Sequence, residues 1–226
     1  MRKIATMVVL VAVMAIVAPA HAQSAKEIRK ERQEMSKMTK SELNSKASKA
    51  ARKEAKKLTK DGWQVTPGSL PLDKQLDRSY NLQYEFDENL LPKYIMGEAM
   101  SIGETYDAAK MQAMELAKQN LAGQIATEVT ALVENTVSNQ QLTAEQAASI
   151  VQTVTASKNL ISQSIGRVVP VVEVYRVKGN KNKEVLVRIA YSTDMAMQAA
   201  KKVILEELEK KGEDLHDQLD NIMGVK

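Results

Sequence analysis

Between Tyr106 and Thr136, Met114, Ala117, Leu121, Ile125, Val129 and Leu132 follow one another at steps of three and four residues. That spacing places them on one face of a helix, and a stripe this long has to be buried along its whole length. Alanines at 108, 109, 113, 117 and 122 add small positions at which another backbone can approach closely. Ahead of the helix, Tyr94 to Ile102 reads as a strand after Pro92, Thr105 can cap the helix, and Asp107 lies near its positive end. Such a chain lays one long helix on a sheet.

Gly97 stands inside that strand and Gly103 at its turn into the helix. Strand, glycine turn and helix is also the plan of a phosphate-binding loop, which needs close-set glycines, a lysine and a following hydroxyl. Here the glycines lie six apart, and Gly103 is followed by Glu104 and Thr105, so a carboxylate stands where phosphate would approach. A glycine inside a strand marks a bulge or a close backbone approach. The two are therefore expected to let the strand pass close to its neighbours and turn into a packed helix, with no nucleotide or other cofactor.

Downstream, Thr143 with Gln146 forms a capping box. It opens a helix at about Ala144 that presents Ala147, Ile150 or Val151, Val154, Ile161 and Ile165 before Gly166 stops it. Val168 to Lys178, dense in valine, and the alternating Val185, Val187, Ile189 and Tyr191 are strands, with GNKNK between them as a hairpin turn. Ser192 or Thr193 opens a last helix with Ala196, Ala199, Ala200, Val203, Ile204 and Leu208 inward and Gly212 as its stop. The order strand, helix, helix, strand, strand, helix predicts an α+β fold. Its sheet is small, about three-stranded, antiparallel or mixed, and packed against long helices.

At the start of the chain, Arg2 and Lys3 precede an apolar run from Ile4 to Ala18, then Pro19 and the small-x-small sequence Ala20-His21-Ala22. Residues 1–22 have the pattern of a secretory signal peptide cleaved between Ala22 and Gln23. The apolar run is about 15 residues, short of the roughly 20 that span a bilayer, and no second one follows. No transmembrane segment is expected after its removal. The chain has no cysteine, so export brings no disulfide and no cysteine-borne lipid.

The formal net charge of +4 hides a division: residues 23–60 carry 13 Lys/Arg and 5 Asp/Glu, while residues 61–226 carry 17 and 23. Residues 23–60 are a basic arm, helical or partly disordered, whose Ile28, Met35, Met38, Leu43 and Leu58 make no continuous stripe. Residues 61–92 are a linker punctuated by Gly62, Pro67, Gly68 and Pro71, with a short helix in which Leu72, Leu76, Tyr80 and Tyr84 recur every four residues. Tyr80, Leu82, Tyr84 and Phe86 would also alternate in a strand, but the helical spacing extends further. Trp63 is expected to anchor the linker onto the domain. The domain itself spans 93–212, and 213–226 is a polar tail that adds a short amphipathic turn or frays.

Chemistry-bearing constellations are few. His216 is the one imidazole left after export, so histidine or cysteine triads and cysteine-histidine metal sites lack their groups, and no metal is expected. Asp73 with Asp77, and Asp87 with Glu88, are the close carboxylate pairs, each with a cation nearby and no apolar surroundings to separate their pKa values. No catalytic residue is assigned. Tyr94, Tyr106, Tyr175 and Tyr191 fall at or beside strands, either lining a shallow sugar or peptide site or packing on the sheet with hydroxyls at its edge.

The stretch GEAMSIGETYDAAKMQAMELAKQNLAGQIATEV, the later strands VVPVVEVYRVKG and EVLVRIAYS, and the final helix together resemble the LPP-twenty-like lipoprotein family, whose fold is similar to the N-terminal domain of the flagellar assembly protein T. The features that match are Gly97 and Gly103, the alanines Ala109, Ala113 and Ala117, the segment Leu121, Ala122 and Ile125, and Tyr191, within about residues 93–210. The resemblance implies an exported, non-catalytic cell-envelope domain used for attachment or assembly, in the periplasm or on the outer surface. The lipid-bearing cysteine is absent, and the arm and Trp63 lie outside the family pattern. The expected partner is an envelope protein or a surface polymer rather than nucleic acid, with the late hairpin and its edge strands as contact surface. The alanine-rich helix also permits a homo-oligomer. The other readings are a hydrolase with paired carboxylates and a basic-arm adaptor for anionic surface polymers.

Overall fold

The computed structural model describes residues 45–138, 142–166, 168, 170–213 and 215–223. The signal-cleavage residues Ala22 and Gln23, and the arm as far as residue 44, lie outside the described residues. The chain divides between Ser45 and Lys46, and every element below belongs to the unit that begins at Lys46. In order these are α1 (Lys49–Lys60), α2 (Leu72–Gln83), β1 (Tyr94–Gly103), α3 (Tyr106–Ser138), α4 (Ala144–Ala156), α5 (Lys158–Ser164), β2 (Pro170–Val177), β3 (Lys183–Ser192), α6 (Thr193–Lys210) and α7 (His216–Met223).

The fold is α+β. Its three strands are antiparallel in the order β1-β3-β2, so the central strand comes last in sequence. The long helix α3 lies on one face, over Ile95, Val185, Val187 and Ile189, and buries Ala109, Ala113, Ala117, Leu121, Ala122 and Ile125 almost completely. Gly97 makes this possible: a Cβ there would stand 2.4 Å from the carbonyl oxygen of Ala117, a backbone atom that cannot turn away. At Gly103 a Cβ would meet the backbone nitrogen of Ala109 at 2.8 Å. Thr105 caps α3 by accepting from the Ala108 amide, and Tyr191 closes the core as one of its buried members.

Helices α4 to α7 complete this core. The Thr143–Gln146 capping box is present at the start of α4. The single helix expected from Ala144 to Ile165 is bent at Ser157, which separates α4 from α5. The bond from Ser157 N to Thr153 O closes α4 and that from Ile161 N to Ser157 O opens α5, both 2.9 Å, so one residue ends the first helix and starts the second. With no loop between the two helices, Ile150, Val154, Ile161 and Ile165 stay in one core, which is why spacing alone reads one helix. In the hairpin turn the left-handed residue is Lys181 (φ 67°) rather than a glycine or asparagine. The described part of the tail forms α7, which buries Leu219 and Met223, with Leu215 just ahead of it, in the same core.

The end of the arm is helical and packs on the domain: α1 buries Ala51 and Ala55, with Ala47 before it, against Trp63, Leu72 and Leu76. Those residues cover Val172 and Val174 on the second face of the sheet. Helix α2, also outside the expected 93–212 domain, bonds into it through Gln75, whose side chain accepts from the Glu173 amide at 2.8 Å. The sheet is thus covered on both faces, by α1 and α2 on one and by α3 with α6 on the other, and α4, α5 and α7 pack onto those two helices.

Candidate interaction surface

Helix α2 ends at Gln83, and the next ten residues fold back on themselves. Lys93 N donates to Glu85 O and Asp87 N to Leu91 O, both at 2.9 Å, with Phe86 and Pro92 opposite one another. The Asp87 carboxylate accepts from the amides of Asn89 and Leu91, both at 2.8 Å, so one side chain closes the turn. The base is tied to the start of α6, where Thr193 donates through its amide to Lys93 O and through its hydroxyl to Pro92 O. Lys93 and Glu85 pair at 3.0 Å across it. The carboxylate raises the Lys93 pKa through that bond.

This ordered hairpin turns apolar groups outward. Tyr84 is 67% exposed, Phe86 47%, Leu90 80% and Leu91 60%. Single exposed leucines are ordinary on a protein surface, but four large apolar side chains within eight residues are a patch. Leu90 also sits at φ 62°, a left-handed conformation costing a residue with a Cβ roughly 1–2 kcal/mol. Beside the base of the hairpin, an open groove of about 670 Å³ runs between α1 and α2, lined by Ser48, Asp77, Tyr80, Asn81, Tyr84 and Glu85.

The sheet edges named from the sequence are less open than expected. Gln64 pairs with Tyr175 on the outer edge of β2, through Gln64 N to Tyr175 O at 2.8 Å and Tyr175 N to Gln64 O at 2.9 Å. On the edge of β1, the Asn120 and Gln124 side chains of α3 donate to the carbonyls of Glu98 and Met96 at 2.7 and 2.8 Å. Both edges are partly occupied by the chain itself, which blunts strand addition. The late hairpin thus offers less free backbone than its sequence suggests.

Trp63 is buried at 6% exposure, in the cluster with Leu72, Leu76, Val172 and Val174. The Arg176 guanidinium lies 4.6 Å over its ring. Arg176 also pairs with the buried Glu184, which Lys178 approaches at 3.5 Å. Two tyrosines form one cluster: the rings of Tyr106 and Tyr175 meet edge to face at 5.5 Å. The Tyr106 hydroxyl donates to Glu173, which Lys110 reaches at 2.8 Å. Burial, then the bond to Glu173 and its charge, pushes the Tyr106 phenol well above its ordinary range. Tyr191 packs in the core, away from that cluster.

Among the carboxylate pairs, Asp77 accepts from the Ser48 amide at 2.9 Å and Asp87 closes the hairpin turn. Asp73 accepts from the Lys74 amide at 3.1 Å. Each of the three therefore has a structural bond. Among the described residues no group of three His, Cys, Asp or Glu is placed to hold a metal ion, and no helix is long and apolar enough to cross a membrane. No family model, curated protein or solved structure matches the chain.

The hairpin at 84–93 is what the sequence reading missed. Its signal was present in DENLLP, where turn-forming Asp and Asn precede two leucines and a proline. The preceding Tyr80–Phe86 alternation drew the segment into a choice between helix and strand, and the leucines were given no face.

Proposed function

We propose that the chain is an exported, non-catalytic binding module of the cell envelope that takes its partner on the apolar hairpin at 84–93, in the periplasm or on the outer surface. The observation that carries this reading is the cluster of Tyr84, Phe86, Leu90 and Leu91, exposed on a turn held by Asp87 and tied to α6 by Thr193. A flexible loop would lose ordering entropy on binding; a preformed one has already met that cost in folding. The rest of the fold acts as its mount. The signal pattern of residues 1–22 and the LPP-twenty-like features from Gly97 to Tyr191 support the envelope setting.

The partner chemistry that fits is an envelope protein with an apolar recess, since the tip combines the exposed Leu90 and Leu91 with Asp87 and Glu88 on a preformed turn. The test is a pull-down from envelope extract with the mature protein, beside a Phe86→Ser/Leu90→Ser variant whose circular dichroism matches the parent. A partner retained by the parent and lost by the variant supports the reading. Equal retention by both removes the hairpin from it.

A further inference from the structure

The structure turns the basic arm's end into a fixed array of charge. Helix α1 is about 18 Å long and contains six basic residues and one acid. Ala51 and Ala55 face the sheet, and Lys49, Lys53, Lys56, Lys57 and Lys60 fall within about a 100° arc on the opposite side. All five are exposed, and among the described residues none takes part in an ion pair. The single acid, Glu54, accepts from the Tyr80 hydroxyl on the flank facing α2. Ser48 caps the helix through the Ala51 amide, and Lys57 and Lys60 complement its negative end. At the two ends of the helix, Asp77 accepts from the Ser48 amide at the N-cap and Asp61 is the C-cap.

We propose that this lysine ridge is a docking surface for an anionic phospholipid bilayer, separate from the hairpin at 84–93. Shape and chemistry select that partner. Among the described residues the ridge is the outward face of one helix, so it offers no basic groove to track a linear polymer, whereas a flat charged surface meets all five ammonium groups together. No apolar or aromatic side chain stands among the lysines, so the contact is Coulombic, without insertion or base stacking. Lysine clusters of this size on one helix face are what the negative potential of an anionic leaflet attracts. Burial of Ala47, Ala51 and Ala55 holds the ridge to the body, so a bound membrane would fix the orientation of the whole domain above it.

The experiment is co-sedimentation of the mature chain with vesicles of phosphatidylcholine and phosphatidylglycerol in equal parts, beside vesicles of phosphatidylcholine alone. Three proteins are compared: the parent, a ridge variant (Lys53→Gln/Lys56→Gln/Lys60→Gln) and a charge-matched variant (Lys158→Gln/Lys202→Gln/Lys210→Gln). A lysine near an anionic surface contributes a factor of about five, so the ridge variant is expected to bind on the order of a hundredfold more weakly. The charge-matched variant should stay within a few-fold of the parent. Binding should require the anionic lipid and fade with added salt. Equal losses in the two variants would reduce the effect to net charge and overturn the proposal, as would no loss in either or binding to neutral vesicles. Dextran sulfate serves as the polymer probe. If the ridge variant loses that polymer but keeps the vesicles, the surface reads polymers and the bilayer assignment falls.

Discussion

Replacing Gly97 by alanine adds one methyl group at the tightest backbone approach between sheet and helix. That methyl would stand 2.4 Å from Ala117 O and 3.2 Å from both Leu121 Cβ and Ile189 Cγ1. The first distance is short of an ordinary carbon–oxygen contact by about 1 Å. The oxygen belongs to a 33-residue helix packed along its length, so relief requires strand and helix to separate. Overpacking of this kind costs about 1–3 kcal/mol, and a backbone clash places it in the upper half. Alanine returns roughly 0.5–1 kcal/mol through a less flexible unfolded chain, leaving a net loss of about 2 kcal/mol. In a unit of this size that lowers Tm by about 4–8 °C. The control is Gly123→Ala in α3, where an added Cβ meets nothing within 4 Å. There the same change removes helix-interior glycine and should stabilise by about 0.5–1 kcal/mol. Urea titration followed by far-ultraviolet circular dichroism measures both. A Gly97→Ala protein within about 0.5 kcal/mol of the parent would refute the close-approach argument.

Trp63 is the only tryptophan, so its fluorescence reports the docking of the linker directly. Arg176→Ala, which uncovers the ring, should raise its accessibility to acrylamide, while Trp63→Ala should cost about 3 kcal/mol in urea. Tyr106 supplies a pH dependence. Its phenol is raised, so the folded chain keeps a proton that the unfolded chain loses above about pH 10, and stability should fall as pH rises beyond that point. Tyr106→Phe should flatten this fall, and an unchanged alkaline slope in a denaturation series would discard the assignment. Thr143→Ala removes a capping box whose two arms measure 3.0 and 3.2 Å, and should cost about 1 kcal/mol by the same titration.

What the sequence disclosed depended on whether a residue type has one structural meaning or two. The stripe from Met114 to Leu132 is long enough that only a buried helix satisfies it, and Gly97 before an alanine-rich helix implied the close crossing that the structure shows. Alanine is ambiguous elsewhere. In a lysine-rich arm Ala47, Ala51 and Ala55 look like filler, yet against Trp63 and Val174 they are the contact face. The opposite arc of five lysines was the better clue. The break at Ser157 was invisible because that one residue closes α4 and opens α5 while the buried stripe continues on either side. The candidate surface was hard to see for another reason. Tyr84, Phe86, Leu90 and Leu91 are types normally read as core, and only their exposure sets them apart.

The most direct test of the proposed binding surface is photo-crosslinking in envelope preparations from a benzophenone amino acid placed at position 90, with position 160 as the remote comparison. Leu90 and Leu160 are both exposed, one on the hairpin and one on α5. A hairpin that receives a specific partner predicts a discrete adduct from position 90 that is missing from position 160. The same adducts from both positions, or none from position 90, would contradict it.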